Sequence, residues 1–190
     1  MIDYSRYDVI ISSIYDTLVL TAKSKSVNNT MFVEPLSASK SIKLTNMEMR
    51  GRLPDPHVFE IHRICFSFGG KDGNLLAANS SFELWIGHKS YIAGIIPMLQ
   101  TTDFPDAPIV TCDYCESAFV GLTCPNCGAG KFKMLNVYSR NTPIYYYDVS
   151  KIPLTILQAQ QFYVQFTSWV NVSDATVLCE LRGKLARGIQ

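Results

Sequence analysis

Apolar and polar residues alternate with a period of two along much of this chain. In "FELWI", residues 82–86, Phe82, Leu84 and Ile86 share one face, and in "QFYVQFTSW" Phe162, Val164 and Phe166 oppose Gln165 and Thr167. Each reads as a half-buried antiparallel strand. "ATVLCELRGKLAR" continues the pattern, with Val177, Cys179, Leu181 and Leu185 inward and Glu180, Arg182 and Lys184 outward. Cys179 is therefore expected as a core thiol.

One strand breaks its own period. In "HVFEIHRICFSF" the apolar face runs through Phe59 and Ile61, then shifts to Ile64, Phe66 and Phe68. A strand can keep all five on one face only by inserting an extra residue, so the pattern predicts a β-bulge at His62 or Arg63. Turn chemistry punctuates the runs at "LPDP", "GGKDGN", "FPDAP", "NTP" and "NVSD", which spaces out roughly eight strands. Within "GGKDGN", Asp72-Gly73 reads as a two-residue hairpin turn. "YDVIISSIYDTLVL" fits a helix through Ile10, Ile14 and Leu18 or two short strands, and "TILQAQQ" has room for one turn. Residues 1–26 are read as an N-terminal arm of open structure and residues 27–190 as the folded domain. Long alternating strands at both ends of an all-β chain must close or double their sheets to manage their edges, which favours a sandwich, jelly roll or barrel.

Composition narrows the function classes. The chain has 190 residues, 47% hydrophobic, with 17 Lys plus Arg against 16 Asp plus Glu. That suits one domain with a substantial core and a small insertion. A net charge of +1 gives no electrostatic footprint for wrapping nucleic acid or coating a membrane. The first residues lack a signal-peptide pattern and no apolar run reaches 18 residues, so a reducing origin is expected, where paired cysteines bind metal more often than they form disulfides.

The sharpest chemical motif is "CDYCESAFVGLTCPNCGAG". Cys112 and Cys115 form one C-x-x-C, Cys124 and Cys127 a second, with eight residues between. Two such knuckles can place four thiolates tetrahedrally around Zn²⁺, the arrangement of a zinc ribbon, here an insertion over residues 110–131. Pro125 suits the tight turn, and Gly128 can turn backbone N–H groups toward the sulfurs. Two disulfides or a redox C-x-x-C compete, although the latter belongs at a helix start in a βαβ context. Four thiolates leave no open coordination position, so such a zinc is structural and not catalytic. The loop "ESAFVGLT" holds no cation, and only Lys131 and Lys133 follow it closely, too little for phosphate binding.

No enzyme signature emerges. His57, His62 and His88 are the only histidines and form no H-x-H, which a cupin-like metal enzyme would need. His88 ends the "FELWIGH" strand, where a surface or turn role is the default. There is no G-x-S-x-G, P-loop, G-x-G-x-x-G or H-E-x-x-H, and the expectation is a protein that is not an enzyme, without catalytic residues. The sequons at Asn28, Asn79 and Asn171 carry no weight without secretion.

Two segments bring in a family. "KLTNMEMRGRLPDPHVFEIHRICFSF" resembles the early strands of the jelly-roll capsid proteins of tailless icosahedral bacteriophages, in which a T-N-M segment precedes G-x-L-P-x-P and an aromatic strand. "IPLTILQAQQFYVQFTSW" and "DATVLCELRGKLARGIQ" are similar to the closing strand pair of the same proteins, and "SSFELWIGHKSY" to a middle strand. Together these cover roughly half of the chain; the four-cysteine ribbon is not a general feature of that family, and residues 1–26 match no part of it. The resemblance implies a single jelly roll that forms a virion shell. Its partners would be itself, as trimers or pseudo-hexameric capsomers, and other capsid proteins, in a shell that can overlie an inner membrane. The competing expectation is a cellular adaptor whose zinc ribbon binds protein or nucleic acid; a sugar-active enzyme is a more distant third.

Purified protein is expected to hold about one Zn²⁺ per chain by elemental analysis, and Cys112→Ser to release it with a loss of thermal stability. A metal-free, fully reduced protein of equal stability would contradict the ribbon.

Overall fold

The computed structural model describes residues 7–21, 28–37, 40–102, 109–111, 118–120 and 144–188, with the backbone alone at 102, 109–111, 118–120 and 188. Its strands, in chain order, are β1 (Tyr7–Leu20), β2 (Asn28–Met31), β3 (Val58–Gly69), β4 (Ser80–Ile86), β5 (Lys89–Ile95), β6 (Gln100–Thr102), β7 (Ile109–Thr111), β8 (Ala118–Val120), β9 (Ile144–Asp148), β10 (Leu154–Ile156), β11 (Phe162–Ser168) and β12 (Ala175–Gly188). One short helix, α1 (Gly73–Ala78), joins β3 to β4. The larger sheet has six strands in the order β1-β12-β3-β9-β6, with β10 also on β3; the smaller has four, β2-β11-β4-β5; β7 and β8 pair apart from both. Every named pairing is antiparallel. The fold is all-β, two antiparallel sheets packed face to face.

The pairings nest. β3 pairs with β12, β4 with β11, β6 with β9 and β7 with β8, so each pair lies inside the previous one along the chain. The outermost of these pairs belongs to the larger sheet, the next to the smaller, and the third to the larger again.

The alternating strands bury the faces their periodicity requires. Phe82, Leu84 and Ile86 of β4, Phe162, Val164 and Phe166 of β11, and Val177, Cys179 and Leu181 of β12 are all buried. Leu185, expected on the same inward face, is only partly buried, packed against the core opposite Phe59. Cys179 is a core thiol, as expected, and burial pushes its pKa well above the ordinary thiol value. Aromatic rings from the two sheets interdigitate, Phe66 lying 4.8 Å from Phe82 and Phe68 6.1 Å from Phe166, while within the larger sheet Phe68 meets Tyr145 edge-on at 5.7 Å. Such tilted and edge-to-face contacts suit the ring quadrupoles and hold two twisted sheets in one registration.

The shifted period of β3 is resolved by the bulge that it required. Arg63 pairs with Arg182 and Ile61 with Gly183, so His62 is the extra residue, opposite no residue of β12. The consequence is that Phe59, Ile61, Ile64, Phe66 and Phe68 are all completely buried. Two features accommodate it. The His62 carbonyl accepts the N–H of Val149 at 2.8 Å, where β9 gives way to β10. Gly183 brings its backbone so close to β3 that an added Cβ would lie 1.8 Å from the Glu60 carbonyl oxygen.

Three expectations change. Residues 7–20, assigned to the N-terminal arm, form a 14-residue strand paired along its whole length with β12. The intrinsic pattern there fits a helix equally well, but the unpaired edge of β12 supplies a hydrogen-bonding partner that a local pattern cannot contain. Asp72-Gly73 is not a hairpin turn: it starts α1, because β3 and β4 belong to different sheets and the chain must cross between them. Strands number more than eight, since short β2, β6 and β10 carry too few residues to show a period.

Gly183→Ala is expected to lower the unfolding free energy by about 3 kcal/mol through backbone overpacking. Gly87→Ala, in a turn at φ +64° where an added Cβ would meet only the Gln160 side chain at 3.9 Å, is expected to cost only about 1 kcal/mol. Urea unfolding of the two variants checks the order; equal midpoints would show that the β3–β12 contact yields freely.

Candidate functional site

The four cysteines, Cys112, Cys115, Cys124 and Cys127, lie outside the described residues. What is described is the hairpin that brackets the first pair: Ile109, Val110 and Thr111 of β7 pair with Val120, Phe119 and Ala118 of β8. Thr111 stands opposite Ala118, so the two paired strands flank the first C-x-x-C in the chain.

The histidines do not converge. His57 Nδ1 lies 3.0 Å from the Pro54 carbonyl, His62 Nε2 2.6 Å from Glu60 Oε1, and His88 is exposed in the β4–β5 turn. The outer face of the larger sheet carries charge in balanced pairs. Arg63 and Arg182 stand opposite each other, but Arg63 reaches Asp148 at 3.2 Å and Arg182 reaches Glu180 at 2.7 Å. Hydrogen bonds from Ser150 hold the Asp148 carboxyl below its usual range. Between these pairs, burial pushes Cys65 up to about 11, leaving it a thiol near neutral pH.

The polar residues that matter most for the architecture were not singled out from the sequence. Asp16, on the inward face of β1, is 1% exposed. One carboxylate oxygen accepts the Phe32 N–H at 2.6 Å, and the other pairs with Lys40 Nζ at 2.6 Å. Phe32 follows β2 of the smaller sheet, holds φ at +69° and packs its buried ring 5.6 Å from Phe162. Asp16 thus ties the larger sheet to the smaller through a backbone amide in a conformation that a non-glycine residue rarely adopts. The available signal was an acid in phase with Ile14 and Leu18 inside "SIYDTLVL". A buried carboxylate on an apolar face needs a partner, but no local rule says that the partner is Lys40.

A pocket of about 350 Å³ opens beside this pair, lined by Asp16, Thr17, Asn29, Glu34, Lys40 and Leu44 among others. Asp16 and Lys40 form part of the wall of this pocket while their ion pair joins β1 to the segment after β2. A second carboxylate tie lies at the start of α1. Asp72 accepts the Ser173 N–H at 2.8 Å, the Ser173 hydroxyl at 3.1 Å and the Asp174 N–H at 3.2 Å, and the Ser173 amide foremost draws its pKa below the usual carboxylate value. It fastens the start of α1 to the loop before β12.

Exposed large apolar residues are spread over the surface: Ile11 on β1, Met98 after β5, Ile152 between β9 and β10, and Trp169 after β11. No helix among the described residues is long and apolar enough to cross a membrane. Neither the models of known protein families nor the curated proteins match this chain.

Lys40→Met is expected to destabilise the fold by about 3 kcal/mol, because it leaves the Asp16 charge buried without its counter-ion. Asp16→Ala should cost at least as much, since it also strips the Phe32 amide of its acceptor. Denaturant midpoints measure both, and a change under about 0.5 kcal/mol for either would mean that the strut bears no load.

Proposed function

We propose that this chain is a jelly-roll structural subunit of a virion, self-assembling into capsomers of an icosahedral shell, with a loop stiffened by Zn²⁺ bound to Cys112, Cys115, Cys124 and Cys127. The observation that carries this reading is the nested pairing of β3 with β12, β4 with β11 and β6 with β9, alternating between two facing sheets. Nested antiparallel pairs that alternate between two facing sheets support the jelly-roll reading. The resemblance of the segments around β3, β4, β11 and β12 to phage capsid strands supports the same reading.

The physical character of the frame suits a shell. Shell subunits must stay rigid while many weak lateral contacts accumulate, and here an aromatic core, a buried carboxylate strut and a loop tie hold the sheets together. A net charge of +1 lets like subunits approach without long-range repulsion. A zinc knuckle at the end of β7 and β8 would order a segment too short to bury a core of its own.

The experiment is assembly of the purified chain with Zn²⁺, followed by light scattering and electron microscopy over a range of salt. Capsomer-sized or larger particles are expected to grow with protein concentration. Monomers alone under every salt and zinc condition would overturn the proposal, and salt-dependent retention on RNA or DNA lost with Lys131 and Lys133 would point to a nucleic-acid adaptor instead.

A further inference from the structure

The free edge of β1 is closed along one half and open along the other. From Ser13 to Asp16 the chain covers its own edge. Asn46 Oδ1 accepts the Tyr15 N–H at 2.8 Å, Asn46 Nδ2 donates to the Ser13 carbonyl at 2.8 Å, and Thr45 Oγ1 donates to the Tyr15 carbonyl at 3.1 Å. One asparagine side chain and its neighbour thus substitute for an adjacent strand. Because β1 and β12 pair in unbroken register, backbone groups alternate strictly between the partner strand and the free edge. If those of Ser13 and Tyr15 point outward, so do those of Ile11, Val9 and Tyr7. No described residue hydrogen-bonds to them from the edge side.

The open half carries one protective charge, Asp8, and otherwise lacks the devices that usually protect an edge. Tyr7 to Ser12 contains no lysine, no proline and no bulge, and three consecutive β-branched residues, Val9, Ile10 and Ile11. Such an edge is a template for another strand. The side chains of Val9 and Ile11 lie on the outer face, 39% and 91% exposed.

We infer that the Tyr7–Ser12 edge pairs antiparallel with the same edge of a second copy of this chain, joining two six-stranded sheets across a two-fold axis. The occupant follows from the register. Hydrogen-bonded positions must match outward-pointing residues on both copies, and pairing must stop where Asn46 covers Ser13. Both conditions are met by centring the pair on Val9, which places Val9 opposite Val9 of the second copy and Tyr7 opposite Ile11. Three such pairs with two hydrogen bonds each make about six. The exposed Ile11 is then covered by a tyrosine ring, a favourable aromatic–β-branched cross-strand pair. Asp8 falls opposite Ile10 of the second copy and keeps its own ladder neighbour Arg187, so the two Asp8 carboxylates are diagonal neighbours and not directly opposed. A contact of this kind is isologous and closes on itself. The inference rests on the self-assembling reading above and names one of the contacts such a shell would use.

Hydrogen exchange and sedimentation of the full chain over a range of concentrations test it, with two variants whose fold is checked by circular dichroism. Val9→Pro removes an outward N–H while sparing the bonds to β12, and Ile11→Lys places a charge beneath the tyrosine ring without touching the backbone. The amides of Val9 and Ile11 are expected to gain protection as concentration rises, and each folded variant to weaken dimerisation about tenfold or more. Ile11→Lys alone decides if Val9→Pro does not fold. Rapid exchange of both amides at every concentration, concentration-independent protection in a monomer, or unchanged association of Ile11→Lys would overturn the inference. Large particles with an unprotected edge would overturn it while leaving the shell reading in place. Edge-protected dimers that never grow further would support it and overturn the shell.

Discussion

The extra residue at His62 is the constraint on which the larger sheet depends. Five apolar side chains of β3 must face the core, and they fall into two groups that are out of phase by one position. A register slip of one residue would send Ile64, Phe66 and Phe68 to the opposite face. The bulge restores the phase, but it forces the backbones of β3 and β12 together at Gly183, where no side chain fits. Sequence, register and close packing are therefore linked at one point, and the ladder that β12 offers to β1 is built on the result.

Around that point the molecule is held by a few directional contacts as well as by its aromatic core. Hydrophobic burial favours two packed sheets but sets their relative position only loosely. Asp16 adds direction by joining β1 to the backbone after β2 and to Lys40, and Asp72 does so by holding α1 to the loop before β12. Both are carboxylates that satisfy backbone N–H groups away from a regular ladder, a role that hydrogen-bonds strongly and tolerates no shift of either partner. The covered and open halves of the β1 edge follow the same logic: where Asn46 supplies the missing partner the edge is finished, and where it does not, strand-pairing capacity remains.

Much of this was legible before the fold was known, wherever a residue's neighbours in the chain decide its environment. Alternation in β4, β11 and β12 placed Phe82, Leu84, Phe162, Val164, Val177 and Cys179 inward, and the broken period of β3 located the bulge to within one residue. Legibility failed where a distant segment decides. The stretch from Tyr7 to Leu20 carries spacing compatible with helix or strand, and the choice is made by β12, more than 150 residues away. Asp72-Gly73 has good turn chemistry, yet the helix forms because its flanking strands go to different sheets. The candidate metal ligands are legible in the opposite sense: their spacing alone suggests a closed tetrahedron, and the fold contributes the hairpin that brackets the first pair.

By itself, then, the sequence determined the all-β class, the inward faces of the long strands, the need for a bulge and the presence of a four-cysteine motif, because period-two patterning and cysteine spacing are local quantities. Only the tertiary structure decided which strands pair, how the pairs nest into two sheets, that Asp16 finds Lys40 and Phe32, and that half of one edge is uncovered among the described residues. Those outcomes depend on contacts between residues far apart in the chain, where hydrogen-bonding partners and burial are properties of the assembled sheets and not of any segment alone.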